Sequence, residues 1–272
     1  MRGALAYEWM RLRTIRSTFW LIGLSLVFQF LMTMLIASQL PESGPLSGGD
    51  DPITQLVTVG AASGFAPLFL AYILGIVGVF SMGHEYRHGM IRATLTAIPS
   101  RSAVFGAKLV TTGVVAAGAA IGCVAVSMLS AAIFGVGMPT LGGLARLTLG
   151  VVIFTVLFSW SGFAYSAIIR NQTAAVALLM LVPSVVETII RAVVVAIKAA
   201  SGDPTGGGGL VTILKYLPYD AGGQMYTRQS INDLLQFLGY VPFGAVGGGI
   251  VFAVFVGLLL TGAYALFLRR DA

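Results

Sequence analysis

Six apolar runs, at residues 17–38, 54–82, 103–134, 144–169, 173–198 and 243–268, constrain this chain more than any motif in it. Each is as long as the ~20 helical residues that cross the hydrocarbon core of a bilayer, or longer. What remains cannot form a water-facing surface. Of the 272 residues 57% are hydrophobic and only 10% charged, against about 25% charged in a soluble domain. The expected fold is therefore all-α and integral to the membrane, with six transmembrane helices in one domain spanning residues 1–272.

The basic residues set the orientation. Arg2, Arg11, Arg13, Arg16, Arg87, Arg92, Arg101, Lys108, Arg170, Arg269 and Arg270 fall on one side of this topology. Arg146, Arg191, Lys198, Lys215 and Arg228 are left for the other. By the positive-inside rule both termini are cytoplasmic. The net charge of +6 lies in short clusters beside apolar runs, which argues against nucleic acid. Cys123 is the single cysteine, so no internal disulfide can form.

Residues 1–16 read as an amphipathic helix lying in the interface. Leu5, Trp9, Leu12 and Ile15 form its apolar stripe, and Arg2, Arg11, Arg13 and Arg16 supply charge for anionic lipid. The run that follows is too long for a signal-peptide core and is expected to be retained. Residues 41–52 carry acids and no Lys or Arg, and read as an outer loop. Gly60 and Gly64, like Gly118 and Gly122, are four apart, which suits close helix contact within one subunit or at a dimer seam. Pro67 predicts a kink in the second run.

The fifth run holds Glu187 and Arg191, four residues apart and able to pair across one helix turn. Intramembrane charge marks a candidate site. The alternative is a helix broken near Pro183, with both residues in a wet vestibule. Residues 199–241 contain apolar pieces too short to span, expected as re-entrant or interfacial helices before the sixth span. Tyr216, Tyr219, Tyr226, Phe237 and Tyr240 there suit the aromatic belt of an interface. Gln29, Tyr72 and Trp160, with Glu187, are the candidates for a polar lining along a membrane pathway.

Residues 83–101, GHEYRHGMIRATLTAIPSR, form the charged link between spans two and three. His84 to His88 matches H-E-x-x-H, which on a helix puts two histidines on one face as zinc ligands and makes the glutamate a general base. A catalytic zinc needs a third protein ligand, and the chain has no third histidine. An intramembrane zinc metalloprotease using His84 and His88 is thus the alternative reading.

The other reading uses more of the segment: Glu85, Arg87, Gly89, a short amphipathic stretch with Met90, Ile91, Arg92 and Leu95, then Pro99, Arg101 and Lys108. This resembles the first intracellular loop of ABC-2 type transporter permeases, where an E-x-R-x-G-T element leads into a coupling helix. Met90 replaces the usual Thr, and Ser100-Arg101 follows Pro99 directly. Leu217, Pro218, Ala221 and Gly222 are similar to an outer element of the same family, and the likeness extends over essentially the whole chain.

The resemblance implies a non-catalytic permease subunit of a bacterial ABC exporter in the plasma membrane. Residues 1–16, with Trp9, Arg11 and Arg13, would be its elbow helix, and residues 83–101 its cytoplasmic coupling loop. It implies a hydrophobic or amphipathic substrate such as a drug, antibiotic, lipid or peptide. It also implies a second permease copy or paralogue and two copies of a separate ATPase. No G-x-x-x-x-G-K-[ST] occurs in this sequence, so ATP and Mg would belong to that partner. Glu85 would pair with Arg87, or with Arg11 or Arg13.

Overall fold

The computed structural model describes residues 2–39, 52–59, 69–98, 100–137, 139–200, 209–227 and 240–269. In chain order the helices are α1 (Arg2–Thr14), α2 (Arg16–Ala37), α3 (Pro52–Thr58), α4 (Phe69–Arg87), α5 (Ile91–Ala97) and α6 (Arg101–Ile133). They continue with α7 (Leu141–Ile169), α8 (Gln172–Leu181), a π turn (Val182–Val186), α9 (Glu187–Ala200), α10 (Gly209–Thr212) and a 3₁₀ turn (Ile213–Tyr216). Last come α11 (Pro218–Gly223) and α12 (Ala245–Arg269). Among the described residues there is no strand. Six helices are long and apolar enough to cross a membrane: α2, α4, α6, α7, the continuous run Gln172–Lys198 through α8 and α9, and α12.

Helix starts follow from local sequence. Ser100, Thr140 and Asn171 each accept the backbone N–H three residues on, capping α6, α7 and α8. The second span departs from its expected bounds of 54–82. Residues 52–58 form the separate helix α3, which stops where Val59 takes a left-handed φ of 52°. The described part of the spanning helix runs from Phe69 to Arg87, so residues 83–87 continue the span instead of opening a loop. Gly60, Gly64, Pro67 and Pro99, Arg228, Phe237 and Arg270, and most of the loop expected at residues 41–52, lie outside the described residues. The fifth span is not broken at Pro183. A π turn absorbs the missing proline N–H and the helix carries on.

Packing places α7 at the centre, against α4, α6, α8 and α12. The α4–α7 approach depends on Gly78, where a Cβ would lie 2.0 Å from the Ser159 carbonyl oxygen. Polarity is inverted relative to a soluble protein. Helix α2 buries Ser25, Gln29 and Thr33 and exposes Trp20, Leu24, Val27, Leu31 and Leu35. Gln29 Nε2 donates to Ser127 Oγ (2.8 Å), and the Thr33 and Ser130 hydroxyls meet at 2.8 Å, stitching α2 to α6. The end of the bundle that carries α1 and α5 is called basal here. The opposite end, where α7 and α12 begin, is called distal.

Candidate functional site

The basal segment is built on a helix end. After α4, Gly89 adopts φ 65°, the Gly89 N–H donates to the Tyr86 carbonyl and the Met90 N–H to the Glu85 carbonyl (2.9 Å). This paired closure needs a left-handed residue, which glycine supplies without strain. Helix α5 then lies against the bundle. Ile91 is buried in a cluster with Met82, Phe105, Phe163 and Phe267, and Leu95 packs on the same cluster. Of Met90, Ile91 and Leu95, Met90 alone is exposed. Apolar burial within the chain takes the other two. Arg87, His88, Gly89 and Arg92 are exposed beside Met90. Arg101 points elsewhere, donating to the Phe267 and Leu268 carbonyls at the end of α12.

Behind this face lies a buried charge cluster. Lys108, fully enclosed, donates to Glu8 Oε1 (2.7 Å) and to Glu85 Oε1, and reaches the Ser81 carbonyl at 3.4 Å. Arg11 Nη1 donates to Glu85 Oε1 and its Nη2 to the Ser81 carbonyl, both at 2.8 Å. Arg11 Nη2 also sits 3.0 Å from Glu8 Oε2, an ion pair without an aligned hydrogen bond. Two acids and two cations from α1, α4 and α6 therefore neutralise one another. Glu85 takes Arg11 and Lys108 rather than Arg87 or Arg13. Desolvating four charges is offset only by such mutual contact.

On α1 the face turned to the bundle is Ala4, Glu8 and Leu12, and Trp9 and Arg13 are exposed. Glu8 was not legible as a site residue, although it is the one acid in a basic helix and stands three residues before Arg11.

His84 and His88 stack with ring centroids 6.1 Å apart. Glu85, which a metalloprotease would use as general base, is committed to Lys108 and Arg11. Among the described residues no three His, Cys, Asp or Glu come together as metal ligands.

A second polar cluster lies deep in the bundle, around the start of α11. The Tyr219 ring packs on Phe158, the eighteenth of 29 residues of α7, and on Phe252 and Phe255. Helix α11 thus begins inside the bundle. Its first N–H groups have no water, and the Glu187 carboxylate accepts those of Tyr219 and Asp220, both at 2.9 Å. Arg191 donates to Asp220. Burial raises the Asp220 carboxyl above its usual range, with the Arg191 charge pulling it back. The Tyr219 hydroxyl meets Ser161 (3.0 Å) and Tyr165 (3.1 Å). Tyr219, Tyr226 and Tyr240 are buried, so the expected interfacial belt reduces to exposed Tyr216 among the described residues.

The candidate pathway residues do not converge. Tyr72 bonds Ser184 at 2.5 Å, one turn from Glu187, while Gln29 bonds Ser127 and the Val57 carbonyl, and Trp160 Nε1 donates to the Leu109 carbonyl. Each is satisfied within a helix contact.

In comparison with known proteins, a family model described as ABC-2 family transporter protein matches residues 4–200. No curated protein matches the chain. The matched region contains the whole basal cluster and Glu187 with Arg191, and stops short of α11 and α12.

Proposed function

The chain belongs to the ABC-2 family of transporter proteins, a multi-pass membrane permease of an ABC transporter, and from that premise we propose how it is driven. In this proposal a separate cytoplasmic ATPase docks on the exposed basal face of Arg87, Met90 and Arg92. ATP-driven closure of two such ATPases moves α5 as a lever. The movement passes into the bundle because Ile91 is packed among α4, α6, α7 and α12, and because the charge cluster ties α1 to α4 and α6. A rigid-body tilt of the spans then opens a pathway for a hydrophobic or amphipathic substrate, formed with a second permease copy or a paralogue.

The observation that carries this reading is the division of α5 into a buried face anchored in four spans and an outward face of mixed cationic and apolar character. Two cations beside one exposed methionine suit a groove with acidic rims and an apolar floor. The proposed orientation, basal end in the cytoplasm of a bacterial plasma membrane, follows from the basic residues gathered there.

The test is co-purification with the ATPase and transport in vesicles. Met90→Asp combined with Arg92→Glu changes only exposed side chains, so the protein should fold while ATPase association and transport are lost. Unchanged association and transport in that variant would overturn the docking face.

A further inference from the structure

A cavity at the distal end belongs to neither polar cluster. It is a half-open cleft of about 370 Å³, within the range of small-molecule sites, between the first turns of α7 and α12 and the chain that follows α11, and Arg146 on it is exposed. Arg146 is the only charged residue among those lining it, and among the described residues no acid pairs with its guanidinium. Gln224, Thr54 and Thr227 also line the space, with Leu147 and Phe243 as apolar residues beside them. Gly244 and Ala245, where α12 begins, complete it, so helix N–H groups without intrahelical acceptors lie at its edge.

Depth identifies the occupant. Helix α7 has 29 residues, a length of about 43 Å, some 13 Å more than the ~30 Å hydrocarbon core. Centred in the membrane, it overhangs by about 6–7 Å at each end. Arg146, the sixth residue of α7, stands about 7.5 Å from the helix start, at the level where hydrocarbon gives way to headgroups. Exposed Leu141, Val241 and Val246 surround this end with apolar surface.

We propose that this cavity binds the anionic headgroup of a membrane lipid. Its phosphate pairs with Arg146 and accepts from Gln224, and the adjoining chain lies on Leu147 and Phe243. The site takes part in neither ATPase docking nor the basal lever. The proposal requires only that α7 and α12 cross a membrane.

The test is native mass spectrometry of the purified full chain equilibrated with equal amounts of phosphatidylglycerol and phosphatidylcholine. The wild type should retain the phosphatidylglycerol several-fold in excess. Arg146→Met should abolish that excess, Arg146→Lys should keep part of it, and Arg92→Met, at the other end, should leave it unchanged. An excess undiminished by Arg146→Met, or none in the wild type, overturns the site. Excess glycerol 3-phosphate separates the two sources of phosphate. Retained lipid supports the leaflet, whereas displacement overturns the lipid assignment in favour of a soluble anion. No ATPase enters this measurement, so its failure would leave the docking reading standing, and the reverse.

Discussion

Two buried polar clusters meet the same difficulty, charge inside an apolar bundle, in different ways. At the basal end two carboxylates and two cations contact one another, side chain to side chain, and join three separate helices. Around α11 there are two carboxylates and one cation, and Glu187 is spent on backbone amides. The first arrangement joins whole helices and needs charge balance. The second lets a helix begin where there is no water, and needs an acceptor more than a counter-ion. In the proposed mechanism the basal cluster would be the joint through which force passes, and the deep cluster a fixed post.

Removing the central cation should separate the two most sharply. Lys108→Met leaves Glu8 and Glu85 buried with only Arg11 between them, and should cost about 3–5 kcal/mol. Thermal unfolding of the detergent-solubilised protein would register it, and Glu85→Gln in the same chain should recover part of the loss. A Lys108→Met protein as stable as the wild type would mean that α1 is held by something else. The deep cluster should be less sensitive. Glu187→Ala strands two amides and should cost about 2–3 kcal/mol in the same assay, with Glu187→Gln falling between because it still offers one acceptor. If Glu187→Gln proves as damaging as Ala, charge rather than acceptance matters there and the contrast collapses. Smallest is the turn that leads from the basal cluster into α5. Gly89→Ala must hold a left-handed φ and should cost about 1 kcal/mol, leaving the deep cluster untouched. A larger loss of transport than of stability in that variant would tie the turn to the lever.

Much of the architecture could be read from residue order. Spans at 17–38, 103–134, 144–169, 173–198 and 243–268 agree with helices to within three residues at each end. Hydrophobic length alone decides them. The second span was misjudged at both ends, because Ile53, Leu56 and Val57 of α3 read as the start of a span and because Glu85 is carried inside the helix by partners distant in sequence. The basal face was only half legible. Gly89 announced the turn, but nothing local told that Ile91 and Leu95 would turn inward while Met90 did not. Glu8 and Asp220 passed unnoticed and Tyr219 was read as interfacial, since each acquires its role from residues 29 to 100 positions away.

Apolar run lengths, the gathering of arginines and the cap and turn residues settled by themselves that this chain is a six-span helical membrane protein. These are properties of segments, and the bilayer selects on segments. Which face of α1 turns inward, that Lys108 and Glu187 are satisfied in full, and that α11 enters the bundle were decided only by the tertiary structure. The cost of burying a charge or an amide depends on what stands opposite it, and that neighbour comes from another helix.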